Sequence, residues 1–178
     1  AAWSADKHYI LGRNSANIDA EFFALKGAKG VILNNVGADG ANSSGTIRVK
    51  SRENIEHGLH ITTSSRLNVE LDSVGDKVAL ETVGACRGKV HMTALSSGLQ
   101  GLVVGSSGLE LTFSGKIQSA NRDNAAATSA VDVNSTGRDI NFHLFNIETN
   151  QADYCWDLVA SNFVSIVDCD TTISGSTV

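Results

Sequence analysis

The chain has 178 residues, one domain's worth, with 19 acidic against 14 basic side chains and a net charge of −5, a balance that argues against nucleic acid or an anionic membrane as its partner. No apolar run approaches the roughly 18 residues of a membrane span, and no charged segment leads into a short apolar one, so neither membrane insertion nor a signal peptide is expected. Proline is absent, as suits a chain built from ladder strands, where few positions can lose a backbone donor.

Residues 1–13 match no repeat; Trp3, Tyr9, Ile10 and Leu11 are apolar enough to cover the open end of a stacked array or to close a preceding domain. From 14 to 178 two kinds of strand alternate. The first kind places apolar residues at every second position: Ile18, Ala20 and Phe22; Ile47 and Val49; Leu67, Val69 and Leu71; Val90, Met92 and Ala94; Leu109, Leu111 and Phe113; Ile140 and Phe142; Val164 and Ile166. Polar residues such as Asn68, Glu70, His91, Thr93, Glu110 and Thr112 fall between them, the period-2 pattern of a strand with one buried face. The second kind is shorter, with two apolar positions flanking one residue: Val31 and Leu33, Leu59 and Ile61, Val78 and Leu80, Leu102 and Val104, Val131 and Val133, Trp156 and Leu158. Both series keep a mean period of about 24 residues and stay interleaved, which predicts an all-β solenoid of about seven coils.

Two stretches lengthen the repeat. Residues 37–45 (GADGANSSG) form the first, and residues 119–129 (SANRDNAAATS) the second, which is expected to overhang a groove or meet a neighbour. Ser64-Ser65, Ser106-Ser107-Gly108 and Ser135-Thr136-Gly137 stand before strands, where Gly supplies positive φ and Ser bonds nearby backbone, and so read as sharp corners. The last coil runs from Phe163 to Val167 with no polar cap after it, so a continuation of the protein or an associated chain is expected to cover that end.

The second strand repeatedly opens on glycine: Gly30-Val31-Ile32-Leu33, Gly58-Leu59-His60-Ile61 and Gly101-Leu102-Val103-Val104. In this pattern, roughly from Asn14 to Val167, the chain resembles the right-handed parallel β-helix of the pectate-lyase-like superfamily. Its irregular coils and Asn-, Ser- and Gly-rich corners resemble a bacteriophage tailspike shaft. The resemblance implies a single-stranded parallel β-helix, assembly as a homotrimer, a place in the extracellular virion tail and a bacterial cell-surface polysaccharide as partner. It implies no cofactor. Members of the superfamily include lyases, hydrolases and inert spacers, so fold alone does not choose among them.

If Leu67, Val69 and Leu71 point inward, then Asp19, Glu21, Arg48, Lys50, Glu70, His91, Glu110, Asn141 and His143 share one outer face. Hydrolysis of a glycoside takes a protonated carboxylic acid and a second carboxylate about 5 to 9.5 Å away. Glu70 and Glu110, two rungs apart with His91 between them, are the candidate catalytic set, with Arg48, Lys50, Asn141 and His143 as the substrate-binding set. A lyase, the second choice of chemistry, would use Arg48 and Lys50 to hold a uronate. The same residues equally describe a solvated sheet face of mixed charge. His57 and His60 lack a third ligand nearby in sequence, so no metal is expected. Cys86, Cys155 and Cys169 have no metal or redox spacing and read as buried thiols. Two functions follow: a polysaccharide-directed shaft that binds or cleaves its target, or a structural and assembly solenoid with no catalysis.

Overall fold

The computed structural model describes residues 9–11, 19–34, 36, 46–105, 110–126, 128–134, 139–149, 154–159 and 163–173. Fifteen strands follow one another without a helix among these residues: β1 (Tyr9–Leu11), β2 (Ala20–Leu25), β3 (Lys29–Asn34), β4 (Ile47–Arg52), β5 (His57–Thr62), β6 (Leu67–Val74), β7 (Val78–Val83), β8 (Gly88–Leu95), β9 (Leu102–Val104), β10 (Leu111–Gln118), β11 (Ser129–Val133), β12 (Ile140–Thr149), β13 (Tyr154–Asp157), β14 (Val164–Val167) and β15 (Asp170–Ile173). The odd-numbered strands β1 to β13 form one parallel sheet of seven. The even-numbered strands β2 to β14 form the other, to which β15 adds by pairing with the far end of β12. The chain is therefore a parallel β-solenoid, and both interleaved series of the sequence become its two sheets.

About five turns are complete rather than seven. They are β2–β3, β4–β5, β6–β7, β8–β9 and β10–β11; the passage from β12 to β13 runs through residues 150–153, outside the described residues, as do Ile18, Leu109, the 37–45 stretch and the corners at 106–108 and 135–137. Strand β1 adds a rung beyond β3, with Tyr9 beside Val31 and Leu11 beside Leu33.

The core is a set of aligned stacks. Ile47, Val69, Val90, Phe113 and Phe142 occupy one line across the long-strand sheet, all at most 2% exposed. Phe113 and Phe142 stack at 5.3 Å between ring centroids, and Trp156 meets Phe142 edge-on at 4.8 Å, the geometries aromatic pairs favour. Trp156 is thus part of the core boundary rather than a free sugar platform.

The glycine that opens the short strands has a steric cause. In β5 two consecutive residues, Gly58 and Leu59, both face inward, because the chain turns from the corner into the sheet there. A Cβ on Gly58 would lie 2.4 Å from Asp76 Oδ2, and one on Gly30 would lie 2.4 Å from the Gly58 carbonyl oxygen. Opposite this small column the long strands carry Ala24, Ser51, Ser73 and Ala94 in register.

Each of the five described corners from a long strand to the next short one is entered through a residue in the left-handed region, Lys26, Glu53, Gly75, Ser96 and Ser119, with φ between 53 and 74°, and the last and longest of them adds Asn121 and Asn124. Inside the corner lies a buried polar network. Asp76 Oδ1 accepts from the Asn54 backbone N–H at 2.8 Å and from Asn54 Nδ2 at 2.7 Å, while Oδ2 accepts from Ser73 Oγ at 2.6 Å. Asn54 Oδ1 in turn accepts from the Gly27 N–H at 2.8 Å, so the network ties three successive turns together.

Candidate functional site

The outer face of the long-strand sheet gathers most of the residues expected there. Glu21, Arg48, Glu70, His91 and Ser114 share one line across β2, β4, β6, β8 and β10. Arg48 bridges Asp19 at 3.2 Å and Glu70 at 3.0 Å, and Lys50 holds Glu21 at 2.7 Å; the hydrogen bond from Lys50 draws the Glu21 carboxyl below its ordinary value. These pairs stand in solvent and contribute little stability each. Around them lies a shallow depression of about 240 Å³ lined by Arg48, Lys50, Glu70, Asp72, His91 and Thr93, among others.

Glu110 does not join this group. The expectation aligned Leu109 and Leu111 with Val90 and Met92, but Leu111 stands beside Gly88 and Phe113 beside Val90. The rung partner of His91 is therefore Ser114, whose Oγ lies 3.0 Å from His91 Nδ1. Glu110 sits four positions upstream, at a corner with φ of 49°, where Arg87 holds it at 3.4 Å. From Glu70 it is displaced about 10 Å across the strands and about 13 Å along them, so the two do not frame one glycosidic bond. Glycine is what shifted the register: Gly88 occupies an inward position that an aliphatic residue fills in β6 and β10, so the apolar alternation in β8 starts two residues late.

Asn141 and His143 lie on the outer side of β12, next along the sheet. Asn141 Nδ2 donates to the Asp139 carbonyl at 3.0 Å, and His143 approaches Asp168 at 3.8 Å. Just after them the strand bulges: Phe113 pairs with Phe142 but Gly115 pairs with Phe145, and the extra residue, Leu144, adopts φ of 50° and is 59% exposed. The bulge exchanges the parity of the strand, so Phe145, Ile147 and Thr149 point inward and Asn146 and Glu148 outward.

That exchange builds a second, larger depression of about 400 Å³, lined by Lys116, Gln118, Asn146, Glu148, Asp170 and Thr172 and the edges of Ile117 and Ile147. Gln118 Nε2 donates to Glu148 at 3.1 Å. None of these residues is singled out by alternation in sequence, because an inserted residue cannot be told from a strand end by periodicity. Across both depressions runs one file in register: Phe23, Lys50, Asp72, Thr93, Lys116, Asn146 and Asp170. Phe23, at its head, is 58% exposed.

The short-strand sheet carries a different cluster. His60 in β5 stands beside Glu81 in β7, and the turn at Gly58 and Leu59 puts His57 on the same outer side, with ring centroids 5.2 Å apart. His57 Nε2 and His60 Nδ1 lie 2.9 and 2.8 Å from the same Glu81 oxygen, Oε2. Burial holds both imidazoles below their ordinary pKa, with Lys29 adding to the effect on His60 and the Glu81 charge opposing it on both. The third donor missing from the sequence neighbourhood of His57 and His60 is thus supplied by Glu81 of the next rung. Further along this face Asp132 lies beside Asp157, and burial, with the Asp157 charge, raises its carboxyl.

Of the 119–129 stretch, the described residues line neither depression. They pack back along the corner, with Asn121, Arg122 and Asp123 N–H groups donating to Leu99, Ser97 and Gly98 carbonyls. The Arg122 guanidinium reaches the carbonyls of Gly75 and Ser96 at 3.2 and 3.3 Å. Cys86 is buried and Cys155 and Cys169 half-buried, all as free thiols, and burial pushes the Cys86 and Cys155 thiols up, as for inert core cysteines. Comparison with protein families, curated proteins and solved structures returns no match for this chain, so the resemblance to pectate-lyase-like β-helices rests on the sequence pattern alone, and what the structure shows is a parallel β-solenoid.

Proposed function

We propose that the chain is a polysaccharide-recognising β-helix that binds a linear bacterial surface glycan along the outer face of its long-strand sheet. The observation that carries this reading is the file from Phe23 to Asp170. Strands about 4.8 Å apart give it a length of about 29 Å, so a polymer laid across the strands meets a new side chain at each rung. Two lysines can take acidic groups, two aspartates, a threonine and an asparagine can bond hydroxyls, and the exposed Phe23 ring can stack on a sugar face. The rigid ladder holds these groups in place before binding, which lowers the ordering cost.

Hydrolysis of the bound glycan is the second reading, and one observation favours it. Glu148 and Asp170 share the larger depression on neighbouring strands, with Asp170 beside Asn146. Their backbones are about 8 Å apart by strand geometry, inside the range that a pair of glycosidase carboxylates spans. With Glu110 displaced, this pair replaces Glu70 and Glu110 as the catalytic candidate.

Immobilised capsular and O-antigen polysaccharides, probed with the purified chain, test both readings. Binding of at least one polysaccharide is expected, with Lys116→Ala and Asn146→Ala each lowering affinity tenfold or more, about 1.4 kcal/mol. Release of reducing ends that stops in Glu148→Gln and Asp170→Asn, with affinity kept, would mark a hydrolase. Absence of binding across the panel, or affinity untouched by both substitutions, would overturn the glycan file.

A further inference from the structure

We propose that His57, His60 and Glu81 form a binding site for a single divalent transition-metal ion of the zinc type on the outer face of the short-strand sheet. The site lies on the other sheet from the glycan file and stands independently of it. Its three donor atoms, one from each residue, all lie within 4.8 Å of one another. Around a tetrahedral zinc ion with bonds of about 2.0 to 2.2 Å, donors sit about 3.4 Å apart. The two contacts to Glu81 Oε2, at 2.9 and 2.8 Å, are shorter than this and the histidine pair is no wider than 4.8 Å. Side-chain rotation on the order of an ångström therefore admits the ion, and the backbone ladder that fixes all three residues need not move.

Chemistry and surroundings agree with that geometry. Two imidazoles and one carboxylate suit zinc and its transition-metal neighbours, whereas calcium and magnesium take oxygen ligands alone. Metal binding requires unprotonated imidazole nitrogen, which neutral histidine offers. The nearest cation, Lys29 beside His57, is offset by Glu56 at 3.9 Å. The three side chains are 14 to 24% exposed, enough to leave a fourth position for water or a small anion, as in open His₂Glu sites.

The test is calorimetric titration of the EDTA-treated, dialysed full chain with zinc chloride, and in parallel with cobalt(II), whose visible d–d bands report tetrahedral nitrogen and oxygen ligation. One equivalent bound at micromolar affinity or tighter is expected, with calcium and magnesium inactive at the same concentrations. His60→Ala and Glu81→Gln should each weaken zinc binding at least tenfold, while His91→Ala, His143→Ala and the double change Cys155→Ser, Cys169→Ser leave it unchanged. Circular dichroism identifies any variant that fails to fold, and Glu81→Gln, nearly isosteric, keeps the test open if His60→Ala is such a variant. No stoichiometric binding, binding that survives Glu81→Gln, or binding lost with the cysteines would each overturn the site.

Discussion

At the scale of single residues, the most consequential group is one with no part in either site. Asp76 is fully buried and is the acceptor for the Asn54 backbone N–H, the Asn54 amide and the Ser73 hydroxyl. Removing the carboxylate leaves those donors buried without partners, each costing roughly 1 to 3 kcal/mol. Asp76→Ala is therefore expected to destabilise the chain by about 3 kcal/mol or more, and Asp76→Asn by clearly less, because the amide oxygen keeps the Oδ1 contacts. Urea unfolding measures both; a loss under about 1 kcal/mol for Asp76→Ala would overturn the network's role. In the sequence, Ser51, Asn54, Ser73 and Asp76 look like ordinary corner residues. Only the register, which brings Asn54 against Asp76 22 positions later, turns them into a connected network, and the same holds for His60 and Glu81, which are 21 apart.

At the scale of the strand, the readable part of the chain is the part where alternation is unbroken. Leu67, Val69 and Leu71, or Val31 and Leu33, announce their faces because each strand has one side in the core and the other in water. Two devices hide the rest. A glycine at an inward position, Gly88, erases an apolar mark and moved the expected register of β10, and with it Glu110. The bulge at Leu144 inserts one residue and so conceals Asn146 and Glu148. Deletions can test this account directly. Removing Leu144 restores regular pairing opposite Phe113 to Gly115, keeps Phe145 and Ile147 inward, and relieves a left-handed leucine that costs about 1 to 2 kcal/mol; the melting temperature is expected to change little. Removing Asn146 instead turns Ile147 outward and Glu148 into the core, which should abolish cooperative unfolding. Equal outcomes in the two deletions, read by thermal melting, would mean that Leu144 is not the inserted residue.

At the scale of the whole molecule, a solenoid's stability is a sum over nearest neighbours, so a rung with a neighbour on one side only is half-supported. Strand β14 shows this: Ile166, in register with the buried Phe142, is nevertheless 43% exposed, and Phe163, just before the strand, is 74% exposed. Leu25 and Ile55, at the corner between the sheets, are also open, at 43 and 61%. Apolar surface of this kind is stabilised by burial at about 25 cal/mol per Å², and further copies of the chain aligned side by side would supply it along the corner while leaving the polar file on the sheet face free. We propose a parallel homotrimer, the assembly that the sequence's resemblance to tailspike shafts implies, and its stability should then depend on protein concentration. Light scattering after size-exclusion chromatography measures the mass directly. A trimer that dissociates in Ile55→Asp but persists in Asn68→Asp, an outward position within the long-strand sheet, would place the contact at the corner. A monomer at micromolar concentration that unfolds at a concentration-independent temperature would overturn the trimer and leave a single rod, whose glycan file would then act through one chain without the avidity that three linked copies provide.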